Sequence, residues 1–251
     1  MVKRESPPLP KKLREDAILE AIIELRFSSP PIPEVFFGKI INHWISNGYI
    51  WRRLQTSDIP LQVRHTLPIV RYAPNFELIG SDSKSSLRVG PFSVSYHRQA
   101  PYVGWDKFLP ELESVVESLF QAIPEIIIER LGLRYLNALT QSKHQITSVS
   151  DLDILFKDSE GQISNNLNFN YTVPVSENSS CTTRISTKEF VQGNIPPDTT
   201  VYIDLDVFTN DGFRSSDIED VKNWISDSHE HEKREFFHLF DSGTIERLKE
   251  V

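Results

Sequence analysis

Cysteine is almost missing from this 251-residue chain: Cys181 is the only one. An intrachain disulfide and a thiolate metal cluster are therefore both excluded, and a reducing compartment is the expected setting. Glycine is scarce as well. None of the ten glycines falls into a GxGxxG or GxxxxGK pattern, so the backbone loops that cradle nucleotide phosphates are lacking. There is no GxSxG elbow, and Cys181 has no histidine in its neighbourhood of the sequence to activate it. A basic excess is also wanting. With a formal net charge of −8 the chain is poorly suited to tracking phosphates, and nucleic acid is an unlikely partner.

No apolar run approaches the roughly 18 residues that a membrane span needs. The opening MVKRESPPLPKKLRED is charged and proline-rich with no apolar centre, so neither a signal peptide nor an anchor is expected there. A cytoplasmic protein without a membrane or a cofactor is the expectation. The composition, 39% hydrophobic and 25% charged, is that of an ordinary globular protein, so a packed core should form along most of the chain.

The most informative stretch is 126–139, IIIERLGLRYLNAL. Ile127, Leu131, Leu133, Tyr135 and Leu139 share one face at period two, and Arg130, Gly132 and Arg134 alternate with them, which predicts a strand with one face in the core. An earlier stretch, 18–28, echoes it: Leu19, Ala21, Ile23, Leu25 and Phe27 alternate with Glu20, Glu24 and Arg26. Leu25-Arg26-Phe27 matches Leu133-Arg134-Tyr135, with Arg134 lying 108 residues after Arg26.

Prolines 7, 8 and 10 predict an extended N-terminal arm over 1–15. Pro33 opens a predicted helix that runs to about Ser46, with Val35, Phe36, Ile40, Ile41, Trp44 and Ile45 as its apolar stripe. Short alternating runs follow at 62–66, 76–80 and 86–97, with a turn at Asp82-Ser83-Lys84 and a bulge or edge at Gly90-Pro91. A second helix is predicted from Trp105 to about Ala122. After the central strand the order restarts: a short helix over 148–156, strands over 163–173, 182–190 and 200–208, a long helix from about Ser216, and a last helical turn after Asp241-Ser242-Gly243.

The expected fold is α+β. An internally duplicated unit of strand, helix, three strands and helix, with halves of about 16–125 and 126–251, would form one curved antiparallel sheet in a single pseudo-two-fold domain. The long helices would lie on one face and leave the other open. The open face would carry Glu20, Glu24, Arg26, Arg130, Arg134, Asn166, Asn168, Asn170, Arg184, Asp204 and Asp206. Arginine forks suit carboxylate or phosphate, which makes these residues a candidate ligand platform. The competing expectation is that Arg26, Arg130 and Arg134 pair across strands with Glu24, Asp204 and Asp206. Asp204 and Asp206 share a face, but no metal site is assigned to them. The cluster His229, His231, Glu235 and His238 reads as a solvated helix face, and His97 with Arg98 as a lone pair at a strand end without a further partner.

Three segments carry a family resemblance: Glu24-Leu25-Arg26-Phe27 followed by Pro33-Glu34-Val35, the central Gly132-Leu133-Arg134-Tyr135-Leu136-Asn137, and Phe240-Asp241-Ser242-Gly243-Thr244. In these the chain resembles a sporadically distributed prokaryotic family of uncharacterised proteins with a central Gly-Leu-Arg-Tyr-Ile-Asn-like strand. The resemblance implies no active site; it directs attention to Arg134, Tyr135 and Asn137. The expected function is that of a binding or interaction protein whose open face meets a polar or anionic small molecule or a protein partner. The alternative is an enzyme acting on a phosphorylated small molecule or nucleotide, with Arg26, Arg130 and Arg134 as anion clamps and Asp204 and Asp206 as metal ligands or base.

Overall fold

The computed structural model describes residues 9–10, 12–28, 32–154 and 166–250. Among these residues nine strands form one antiparallel sheet: β1 (Ile18–Phe27), β2 (Ile50–Arg53), β3 (Phe76–Ile79), β4 (Ser85–Val89), β5 (Ser93–Gln99), β6 (Ile128–Thr140), β7 (Asn168–Ser176), β8 (Ser179–Ser186) and β9 (Thr199–Thr209). Their spatial order is β2-β3-β4-β5-β1-β6-β9-β8-β7. The two long strands singled out by period two are therefore neighbours at the centre of the sheet, in the register Ala21 to Tyr135 through Arg26 to Arg130. From each of them the last strand of the following meander returns alongside: β5 beside β1, and β9 beside β6.

Helices α1 (Pro33–Ser46), α2 (Leu61–Thr66), α3 (Pro68–Arg71), α4 (Trp105–Ala122), α5 (Gln141–His144), α6 (Ile218–His238) and α7 (Ser242–Leu248) complete the fold. α1 starts at Pro33, whose missing amide costs nothing at a first turn, and ends before Gly48, which takes the left-handed φ of +85°. α6 is capped by Asp217, which accepts from the Glu219 amide at 2.8 Å. Asp241 does the same for α7, accepting from the amides of Gly243 and Thr244 at 2.7 and 3.0 Å. That cap starts α7 at Ser242, so the break falls at 239–241, and Ser242 and Gly243, expected within the break, belong to the helix.

The three long helices share one face of the sheet. Phe36, Ile40 and Trp44 of α1, Phe108, Leu112, Val115 and Leu119 of α4, and Val221 and Ile225 of α6 pack on Ile23, Leu25, Leu131 and Leu133. A second cluster joins Phe236 and Phe237 of α6 and Leu248 of α7 to Ile185, Ile203, Leu205 and Val207. Trp224 touches both clusters, and its indole donates to Ser179 Oγ at 2.9 Å. Among the described residues no helix is long and apolar enough to cross a membrane.

Several expectations are corrected. Residues 62–66 are the helix α2 rather than a strand. Gly90-Pro91 is no bulge: residues 90–92 form the turn that separates β4 from β5. The helix expected over 148–156 is a 3-10 turn, Val149–Asp151, and its end lies outside the described residues. The strand expected from Ile163 starts at Asn168, with 163–165 outside the described residues. β8 ends at Ser186, before a 3-10 turn over Lys188–Phe190. Val35 and Ile45, placed in the stripe of α1, are exposed. In the expected arm, residues 1–8 and 11 lie outside the described residues, but Leu13 is buried and pairs with Lys249. The Arg14 amide also donates to the Leu248 carbonyl at 2.8 Å, which ties this segment to the end of α7.

Candidate functional site on the outer sheet face

Side chains opposite the helices form a ladder of charge and hydrogen bonding. Glu24 lies directly across from Gly132, and its Oε2 accepts from Arg26 Nε at 2.8 Å and from Arg130 Nη1 at 2.9 Å. Gly132 makes this possible, because a Cβ there would come within 2.9 Å of Arg130 Nη1 and contest the space the guanidinium uses. Arg130 also faces Asp206, at 3.5 Å, and sits over the Phe208 ring. Arg26 sits over Tyr72, 4.2 Å from its centroid. Arg134 grips both oxygens of Asp204, Nε to Oδ1 at 2.7 Å and Nη2 to Oδ2 at 2.6 Å.

Of the predicted site residues, Arg26, Arg130, Arg134, Asp204 and Asp206 thus come together, but as mutually neutralising pairs. Three guanidinium groups converging free of carboxylates, the arrangement an anion clamp requires, is not what the described residues form. Burial pushes the Asp206 carboxyl above its usual value, and the charges of Arg130 and Arg134 only partly oppose the shift. Among the described residues no group of three or more histidine, cysteine, aspartate or glutamate side chains is placed to hold a metal ion.

Asn137 is on the other face. It is 4% exposed, and its Nδ2 reaches the carbonyls of Tyr135 and Ile203 at 3.3 Å. It shares the parity of Leu133 and Tyr135, and this alternation was visible in the sequence.

Arg184 is different again. Asp204 lies directly across from it on β9, yet both oxygens of Asp204 are held by Arg134. Arg184 Nε donates instead to the neutral Asn168 Oδ1 at 3.0 Å, and Arg184 has no carboxylate partner among the described residues. Beside it opens a cleft of about 340 Å³ lined by Arg134, Arg184, Tyr202, Asp204, Phe190 and Gln192. The segment after β8 forms one wall of this cleft. At the opposite end of the strands, the segment between β2 and β3 brings Tyr72 over Arg26, and its carbonyl accepts from Ser93 Oγ at 2.9 Å.

Two groupings had no signature in the sequence. Glu77, 5% exposed, receives Arg52 Nε at 2.8 Å and Arg88 Nε at 3.0 Å. His97, expected to be alone, lies between Glu20 Oε1, 2.9 Å from its Nδ1, and Ser95 Oγ, 2.9 Å from its Nε2. Glu20 is 77 positions away and reaches His97 only because β1 pairs with β5.

The histidines of α6 do not all lie on a solvated face. His229 stacks on Trp105 with centroids 3.8 Å apart and planes 5° from parallel, and the Tyr135 hydroxyl is 3.3 Å from its Nδ1. Burial, with a smaller push from Lys233, lowers the imidazole to about 4. One turn on, Glu232 is 4% exposed, its Oε1 has no hydrogen-bond partner among the described residues, and burial raises its carboxyl well above the usual range, reinforced by Asp206 and Asp204. His231 and His238 remain on the outer side of the helix, near Arg234 and Glu235.

The protein belongs to the α+β class, built as an open antiparallel sheet with its three long helices on one side. No family model matches the chain, and no curated protein matches it.

Proposed function

We propose that this is a binding protein whose outer sheet face receives a carboxylate- or phosphate-bearing group, on a small ligand or on a partner protein, in the cleft beside Arg184. The observation that carries the reading is the unmatched charge of Arg184: its cross-strand acid is held at both oxygens by Arg134, and a cleft within the size range of ligand sites opens next to it. A planar guanidinium with unused donors suits a two-oxygen anion. The phosphorylated-substrate enzyme reading has less support, because Arg26, Arg130 and Arg134 are already bound to acids.

We read the two halves as copies of one unit. Leu25 and Leu133 occupy matching places in the echo, and their neighbours in β5 and β9, Val94 and Val207, are 113 residues apart. The same 113 residues separate the first residues of α4 and α6, Trp105 and Ile218. The resemblance to a sporadically distributed prokaryotic family agrees with a binding role as well as with any other. A cytoplasmic location fits the single buried cysteine.

Calorimetric titration with inorganic phosphate, a nucleoside triphosphate, a dicarboxylate and an acidic peptide tests the site. Binding that Arg184→Met weakens at least about tenfold, equivalent to about 1.4 kcal/mol, supports it. If none of the four binds, or if Arg184→Met binds equally well, the cleft is not an anion site.

A further inference from the structure

None of Glu20, His97 and Ser95 lines the Arg184 cleft, and docking there makes no use of them. Glu20 fixes its polarity. Burial opposes the charge of the Glu20 carboxyl, but the hydrogen bond from His97, with Arg88 and Arg134 nearby, outweighs it and holds the group below its usual value. An ionised carboxylate only accepts hydrogen bonds, so in the neutral ring Nδ1 must carry the proton and donate to Glu20 Oε1. The Nε2 lone pair is then left facing Ser95 Oγ at 2.9 Å, and the serine hydroxyl donates to it. This is the tautomer and order in which an imidazole acts as a general base toward a hydroxyl, and such groups are recognised by geometry, not by position in the chain.

The surroundings suit a reaction better than a bare structural hydrogen bond. Ser95 is half-buried on the uncovered face, whereas the His97 side chain is 9% exposed, so the base is shielded and the nucleophile is accessible. Directly across from Ser95 on β4 is Arg88. Its Nε is bound to Glu77, while its terminal nitrogens have no hydrogen-bond partner among the described residues. A cation so placed can stabilise negative charge developing on a carbonyl oxygen bonded to the carbon under attack.

We propose that Ser95, His97 and Glu20 form a nucleophile, base and positioning carboxylate that accept an acyl group from carboxylic esters and pass it to water. Ser95 Oγ bonds to the ester carbon as its proton moves to His97 Nε2, and the carbonyl electron pair moves onto oxygen beside Arg88. Collapse of this adduct breaks the carbon–oxygen bond of the leaving alcohol, which takes the proton from Nε2. Water then repeats the sequence on the acyl-serine, releases the carboxylic acid and restores the hydroxyl.

The test is to incubate the full chain with a fluorophosphonate probe, weigh the intact protein, and map any adduct. A single adduct on Ser95 is expected, absent in Ser95→Ala and formed at least about tenfold more slowly in His97→Gln and Glu20→Gln, with p-nitrophenyl acetate hydrolysis following the same ranking. Melting temperatures of the variants check that each is folded. Absence of an adduct on Ser95 in the folded wild-type protein, or labelling undiminished in His97→Gln, would overturn the assignment and leave the grouping as hydrogen bonds that satisfy a buried histidine.

Discussion

Arg134 holds both oxygens of Asp204, although the residue directly opposite it across the strand pair is Asp206. The diagonal choice leaves Asp206 to Arg130 and removes Asp204 from Arg184, so one side-chain preference sets the charge pattern of the outer face across β6, β9 and β8. The Asp204 side chain is 9% exposed against 45% for Arg134, so deleting the arginine strands a buried acid. Arg134→Ala should cost about 1–3 kcal/mol, less than a fully buried pair because the arginine is partly screened by water. The double variant Arg134→Met with Asp204→Leu should cost less than the sum of its parts. Urea unfolding midpoints check both; an Arg134→Ala variant as stable as wild type would show that the pair contributes nothing.

Two ionisable groups one helical turn apart on α6 should give stability opposite dependences on pH. His229 has a folded pKa of about 4 against an ordinary 6.5, so as pH falls from 6.5 towards 4 the unfolded chain takes up a proton that the folded one does not. Stability is full above pH 6.5 and is lost across that window, by up to about 3 kcal/mol. His229→Phe, which keeps a ring against Trp105, should flatten the loss, and the His229 ring proton should titrate near pH 4 by NMR.

Glu232 works the other way. Its folded value is raised above the ordinary 4.5, so its contribution is complete below pH 4.5 and declines as pH rises towards the folded value. Glu232→Gln should therefore stabilise the protein more at pH 8 than at pH 4, as read from thermal melts. An equal effect at both pH values would mean that folding leaves the carboxyl's titration unshifted.

How much of this was legible follows from the range of the interactions. α1 and α4 begin and end where the periodicity put them, because proline, glycine and an apolar stripe are local signals. The central strand pair was legible for the same reason. The side of Asn137 was legible too, since it shares the parity of Leu133 and Tyr135, but the motif drew attention to its identity rather than its side. The partners of His97 were not legible: nothing near residue 97 points to residue 20, and the contact exists only once β1 has β5 as a neighbour. Nor did α6 reveal that Ser228 and Glu232 continue the buried line of Val221 and Ile225, because polar residues in a charged helix read as solvated.

Cys181 offers a direct check on the helix-side core. Its side chain is buried on β8, and burial, followed by the charges of Glu232 and Glu235, pushes the thiol up to about 12. A thiol so held is neither ionised nor accessible at neutral pH. A disulfide reagent such as DTNB should modify no thiol in the folded protein and one in urea. Fast modification without denaturant would mean that the sheet and α6 separate readily.

Arg64 explains why residues 62–66 coil where alternation predicted a strand, and it gives the sharpest structural prediction. It is 1% exposed with no acid partner among the described residues, and its guanidinium donates to neutral oxygens of the segment between β2 and β3. Nε reaches the Ile59 carbonyl at 3.3 Å; Nη1 reaches Val70 at 3.4 Å and Ala73; Nη2 reaches the Thr56 carbonyl and Asn75 Oδ1, the last at 2.7 Å. All five N–H donors of the fork are used, which compensates for burying the charge and draws the segment into one closed turn. A strand would send those carbonyls to a neighbouring strand instead, and the alternation within 62–66, where Val63 is the one apolar residue, is too weak to compete. Arg64→Ala leaves the carbonyls without donors and should cost about 2–4 kcal/mol, concentrated in residues 54–75. Limited proteolysis should then cut first within that segment, while hydrogen exchange in β1 and β6 stays slow. Because the segment carries Tyr72, the same variant should expose Arg26, whereas Arg64→Lys, with three donors instead of five, should recover only part of the loss. Uniformly faster exchange across the sheet would instead make this turn part of the global fold.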